Sequence, residues 1–137
     1  TDVVKVQMVH DVPLIRIADL LCEGFEGGVG YWATIVKYDA PPEIKHTIAS
    51  MSNWNDKQIY KHIDYPLNDG GAVYIMECGD DDHGPVHRLD WEAIQRGLKI
   101  MQERFPRHLA NWLSENDDAT TGDVFIQCCV LGDVVYG

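Results

Sequence analysis

The stretch from Ser114 to Gly132 reads S-E-N-D-D-A-T-T-G-D-V-F-I-Q-C-C-V-L-G, and the fold turns on how it is taken. A short carboxylate at Asp117 or Asp118 accepts the orphan N–H groups of a helix start and suits the positive end of its dipole. Val124, Phe125, Cys128, Cys129 and Leu131 then share one side of a helical period and form an apolar face. Gly132 stands where a C′ residue is expected. The reading is a core helix on which the other elements pack. Its acidic start (Glu115, Asp117, Asp118, Asp123) is expected to stay in water.

Working outward, Asp90 caps an upstream helix in which Trp91, Ile94, Leu98, Met101 and Phe105 recur at helical spacing. Such a stripe is core or a helix–helix seam. Pro106 restarts the chain as a shorter helix to Leu113. Residues 133–137 read as an extended tail. Ahead of the helices the pattern is that of strands, at Ala33 to Tyr38, Gln58 to Asp64, Ala72 to Glu77 and Val86 to Leu89. A turn at Asp69-Gly70 precedes the third, and a hairpin-like loop at 79–85 joins the last two. Pro41 and Pro42 end the first strand. Residues 43–57, with Trp54, form a long polar connection with room for a short helix at Glu43 to Ser50. Thr1 to Val9 alternates enough for an edge strand or a terminal arm. A helix is expected from about Val12 to Cys22, with Asp11 as cap and Pro13 in its first turn, ending near Gly24 or Phe25. This order gives an α+β fold: a small antiparallel sheet of about four strands, with one N-terminal and three C-terminal helices on one face.

The chain of 137 residues is expected to form a single domain, with 45% hydrophobic and 24% charged residues placing it among globular proteins. Eleven basic and twenty-two acidic residues leave a net charge of −11, which repels nucleic-acid backbone and anionic membrane and favours basic partners. Only Lys99, Arg104 and Arg107 approach a basic cluster, so direct nucleic-acid binding is not expected. No secretory signal, membrane-spanning run or lipidation motif is read. Cys22, Cys128 and Cys129 lie in apolar helical patterns, as free buried thiols do. A cytoplasmic protein is the expectation.

Candidate chemistry is sparse. Cys78, His83 and His87 offer three zinc-type ligands beside Asp80, Asp81 and Asp82, but the spacing closes no four-ligand set and matches no calcium loop. No metal or cofactor is expected. The histidines are dispersed, no nucleophile signature is present, and no catalytic residue is assigned. The segment E-G-F-E-G-G-V-G-Y-W at 23–32 has two readings. It is a helix end and turn whose aromatics fill the core, or a ligand-binding lip built from Glu23, Glu26, Gly27, Gly28, Tyr31 and Trp32. In the second reading Asp118, Asp123 and Gln127 complete the site, if the first and last helices meet end to end. Paired acids there would also permit a carboxylate-dependent hydrolase, a distant third reading.

At E-G-G-x-x-Y-W (Glu26 to Trp32), E-N-D-D-A-x-T-G-D-V-F-x-Q (Glu115 to Gln127), L-D-W-E-A-I-Q-R-G-L (89–98), F-P-R-H (105–108) and the closing G-D-V-V-Y-G, the chain resembles small proteins encoded by bacteriophages and prophages. That family carries no established activity, so no catalytic roles transfer. The resemblance implies a phage protein acting in the cytoplasm of a bacterial host. By analogy with small accessory phage proteins, it implies binding and inhibition of a host protein, including a defence protein. The acidic surface, with Asp80, Asp81, Asp82, Glu115 and Asp117 as partner-binding candidates, would stand in for nucleic acid against a basic host surface. A small-molecule or nucleotide-signal pocket around Tyr31 and Trp32 is the alternative. A homodimer through the 91–105 stripe or the tail is a further expectation.

Overall fold

A computed structural model of the chain describes residues 2–39, 71–78 and 84–137. Along these residues run α1 (Leu14–Gly27), β1 (Ala33–Asp39), β2 (Ala72–Glu77), β3 (Val86–Leu89), α2 (Trp91–Arg104), α3 (Pro106–Leu113) and α4 (Ala119–Val130). The three strands form one antiparallel sheet in the order β1-β2-β3, which gives the α+β layout. The expected strand at 58–64, the 43–57 connection, the Asp69-Gly70 turn and loop residues 79–83 lie outside the described residues.

The alternation of the strands sorts the two sheet faces. Ala33, Ile35, Val73, Ile75 and Leu89 are buried on one of them. A bulge at Val36, between Ile35 paired with Ile75 and Lys37 paired with Tyr74, resets the register of β1. On the opposite face Lys37 and Arg88 both lie over the Tyr74 ring, and the Tyr74 hydroxyl donates to Asp39. Glu77, paired with Ala33, and His87, paired with Ile75, share the inner face.

Helix α4 sets the packing. Asp118 is its N-cap, accepting from the Thr121 N–H at 3.0 Å and the Thr121 hydroxyl at 3.2 Å. Gly132 adopts φ 77°, the left-handed C′ conformation expected there. The single apolar face expected of this helix is not what forms. Every residue from Thr121 to Cys129 is buried, because α1 and α2 cover it from different sides. Both crossings are close. A Cβ on Gly122 would lie 2.3 Å from the Gly24 backbone nitrogen, and one on Gly97 would lie 2.3 Å from Cys129 Sγ and 2.8 Å from its Cα. Full burial of side chains such as Phe125 and Ile126 stabilises by about 1.5–3 kcal/mol each.

Both ends of α1 depart from expectation. Pro13, extended at φ −61° and ψ 141°, is the residue before the helix rather than part of its first turn, and no side chain caps it. At the other end the helix runs on to Gly27, so Gly24 is helical rather than part of a loop. It is tolerated there because the α4 crossing has no room for a Cβ. The N-terminal segment is not a strand: Val3, Val4, Val6, Met8 and Val9 are exposed. β-branched residues favour a strand only where one face is covered, and nothing described covers this one.

Gly122→Ala should therefore cost about 1–3 kcal/mol of unfolding free energy or more, through overpacking against backbone that cannot yield. Gly30→Ala, with nothing within 4 Å of the added carbon, should stay within about 0.5 kcal/mol of wild type. Urea unfolding followed by circular dichroism measures both. A wild-type midpoint for Gly122→Ala would refute the close crossing.

Candidate functional site

The turn after α1 brings Tyr31 and Trp32 to the first half of α4. The N–H groups of Gly28 and Val29 both donate to Gly24 O, and those of Trp32 and Ala33 both donate to Val29 O, which carries the chain sharply into β1. Gly28 is required at this corner, since a Cβ there would lie 2.5 Å from the Ala119 carbonyl oxygen. Asp123, one turn into α4 and only 7% exposed, receives what the corner delivers. Its Oδ2 accepts from the Tyr31 hydroxyl at 2.6 Å; its Oδ1 accepts from Trp32 Nε1 at 2.8 Å and Gln127 Nε2 at 3.0 Å. Desolvation, then the bond to Asp123 and its charge, push the Tyr31 phenol up to about 12, so the hydroxyl remains a donor at neutral pH.

Gln127 extends this contact to the C-terminal segment. Its Oε1 accepts from the N–H groups of Val135 and Tyr136 at 2.8 and 2.9 Å, and its Nε2 donates to Tyr136 O at 3.2 Å. Residues 133–137 are therefore docked on α4 through one side chain. The docked segment stacks Tyr136 on Trp32, with ring centroids 5.1 Å apart and planes 11° apart. The Tyr136 hydroxyl donates to Glu77 Oε1, and Glu77 Oε2 lies 2.7 Å from His87 Nε2. The bonds with His87 and Tyr136 hold the Glu77 carboxyl below the usual range, while the bond to Glu77 raises the Tyr136 phenol.

A cleft of about 550 Å³ opens over this network, between the end of α1, the start of α3, the first half of α4 and the docked C-terminal segment. Of the nine ligand-binding candidates from the sequence, Gly27, Gly28, Tyr31, Asp123 and Gln127 line it. Trp32, 1% exposed, sits behind the wall as core. Glu23, Glu26 and Asp118 are not part of the lining, and Asp118 is occupied as the α4 cap. Phe105, His108, Thr120, Val134 and Tyr136 also line the cleft and were missed. A single aromatic in a short tail was the one signal, and it pointed to Tyr136 alone. Comparisons with protein-family models, curated proteins and solved structures find no match to this chain.

The acidic start of α4 is not held in water throughout. The Asp117 side chain is 4% exposed, and its Oδ1 accepts from Arg16 Nη2 at 3.0 Å. Arg16 also donates to Trp112 O at 2.6 Å and lies over the Trp112 ring, whose Nε1 donates back to Arg16 O. The turn that delivers Asp117 is a Schellman motif. Asn116 N donates to Asn111 O and Glu115 N to Trp112 O, with Glu115 at φ 62° in the place a glycine usually takes. Asp117 is therefore unavailable to a protein partner, Glu115 remains exposed, and Asp80 to Asp82 lie outside the described residues. The two surfaces named for a homodimer are each partly used within the chain. Ile94 and Met101 of the α2 stripe are fully buried, and the tail is held by Gln127.

Glu23 meets Asp117, rather than Asp118 or Asp123. Glu23 Oε2 and Asp117 Oδ2 are both buried with no donor among the described residues, an arrangement that one shared proton satisfies. Burial, then the bond to Asp117 and its charge, push the Glu23 carboxyl up to about 7. Burial also pushes Asp117 up, but its bonds to Glu23 and Arg16 more than offset this and hold it low. Two carboxyls driven apart in this way can serve acid–base chemistry. Neither lines the cleft, so here the pair joins α1 to the α3–α4 turn.

The sign of the pH effect follows. An unfolded glutamate releases its proton at about 4.3, and the folded protein holds Glu23's up to about 7. This contribution is complete below the unfolded value, falls as pH rises, and is lost once Glu23 ionises in the fold. Glu23→Gln supplies a permanent donor to Asp117 and should narrow the difference in melting temperature between pH 5 and pH 8. An unchanged difference would exclude the shared proton. Gln127→Leu should release the C-terminal segment and cost about 2–4 kcal/mol, because buried polar partners lose their bonds. Hydrogen exchange at the Val135 and Tyr136 amides should then approach the unprotected rate; retained protection would mean that other contacts hold the segment.

Proposed function

We propose that this chain is a small-molecule-binding protein whose ligand occupies the cleft between Tyr31, the first half of α4 and the docked C-terminal segment. One observation supports this above the others. The polar groups of the corner, Tyr31 and Asp123, converge on a concave space with aromatic and aliphatic walls, the usual make-up of a ligand site. The walls are set by secondary structure and by the four bonds of Gln127, so the space is formed before a ligand arrives. Tyr31 lines the cleft and is 57% exposed, so an incoming group can reach it.

The net charge of −11 favours a second reading. In it the chain is a phage-encoded accessory protein that binds a basic surface of a host protein, in the place of nucleic acid. Glu115 is the exposed member of the acidic residues assigned to that surface among those described. Such binding would be steered by long-range attraction and weakened by salt.

Native mass spectrometry of tagged protein recovered gently from bacterial lysate separates the two. The cleft reading expects a small-mass adduct that disappears from Thr120→Phe, a variant that fills the cleft from an exposed position in the first turn of α4. An adduct retained by that variant would place the ligand elsewhere. A stoichiometric basic protein, released at high salt and unaffected by Thr120→Phe, would replace the cleft reading with the second one.

A further inference from the structure

We propose that the cleft selects a small organic ammonium ion, its cationic group held by Asp123 and Tyr31 and its body by the aromatic walls. This rests on the cleft reading and names the ligand class. Counting hydrogen-bond valences leads to it. Gln127 has both N–H donors and both carbonyl lone pairs engaged, by Asp123, Val135 and Tyr136, so it has nothing left for a ligand. Asp123 Oδ1 accepts two bonds and Oδ2 accepts one, from Tyr31, which leaves Oδ2 a free lone-pair direction. The Tyr31 oxygen donates its proton to Asp123 and, with the Gln127 amide beside it, retains one lone-pair direction for a ligand. Thr120 lines the same space, and its hydroxyl has no hydrogen bond to a described residue. His108, whose buried Nδ1 has no partner among the described residues, also lines the cleft and accepts or donates with its tautomer, so the fixed charge among the lining side chains is the Asp123 carboxylate.

Charge points the same way. No lysine or arginine is among the described residues lining the cleft, so an anion would meet the Asp123 carboxylate with no fixed cation to offset it. The N-terminus of α4 also faces this space, and a bare helix start would favour an anion. Here Asp118 already accepts from Thr121 and places its own carboxylate at that end. Tyr31, Phe105 and Tyr136 put three aromatic rings in the lining, and a desolvated cation is attracted to aromatic rings. A net charge of −11 raises the local concentration of cations around the whole molecule.

The test uses three probes of matched shape: 2-phenylethylamine, 2-phenylethanol and 3-phenylpropanoate. Titration calorimetry at low salt and neutral pH compares each against wild type and Thr120→Phe. The amine should bind at least about tenfold more tightly than the carboxylate, the margin expected of one charge-assisted bond. The alcohol should fall between them, and all binding should be lost in Thr120→Phe. Equal affinities that vanish in Thr120→Phe, or a preference for the carboxylate that does so, would overturn the ammonium assignment and leave the cleft as a binding site. Binding that Thr120→Phe does not alter, or no binding by any probe at millimolar concentration, would overturn the site as well.

Discussion

Backbone meets backbone where Gly24 of α1 crosses Gly122 of α4, and the rest of the molecule depends on that contact. A helix buried along nine successive residues must be approached from more than one side, and each approaching helix must come close enough to exclude water. Glycine permits this on the α1 side, and Gly97 against Cys129 permits it on the α2 side. The intrinsic cost of glycine in a helix, roughly 1 kcal/mol, is outweighed by the apolar area the approach buries. Once α1 is fixed at that distance, the turn at Gly28 can only leave it toward the start of α4. The positions of Tyr31 and Trp32 follow.

The polar groups of α4 are bearable for the same reason. Asp123 and Gln127 sit one turn apart in an otherwise apolar helix, and burying either without partners would cost several kcal/mol. Partners arrive from three directions: the corner after α1, the helix itself and the C-terminal segment. Each bond depends on the others through shared atoms, so the group acts as a unit rather than a sum of pairs. It orders the tail that carries Val134 and Tyr136 onto the core, and in doing so forms one wall of the cleft.

Much of the fold was legible in the sequence because local chemistry determined it. Asp90 as a cap, a cap at one of Asp117 and Asp118, Gly132 after the last helix, Pro106 at a restart and the three described strands all followed from short-range rules. The glycines of 24–28 were ambiguous for a physical reason: a glycine placed for a helix crossing and one placed for a loop look alike until the crossing partner is known. The extent of α4 burial was likewise hidden, since Thr121, Asp123 and Gln127 interrupt the apolar pattern and are buried only because tertiary partners exist. Five of the nine proposed ligand residues line the cleft, because the glycines beside Tyr31 and the spacing of Gln127 four residues after Asp123 are local patterns. That Asp123 is buried rather than held in water depends on its tertiary partners. The Tyr136 wall, the Glu23–Asp117 pair and the Arg16 bond to Trp112 O bridge distant parts of the chain, and no spacing rule reaches across such separations.

The continuous burial of α4 also bears on how this chain can vary. An amphipathic helix leaves its solvent face open to almost any polar replacement, so sequence drift gathers there. From Thr121 to Cys129 no position faces water, and a charged replacement at any of them must be desolvated against packed neighbours. Drift in relatives of this chain should therefore skip that block and collect in the exposed positions of α2 and α3, leaving T-G-D-V-F-I-Q-C-C as the slowest-changing stretch.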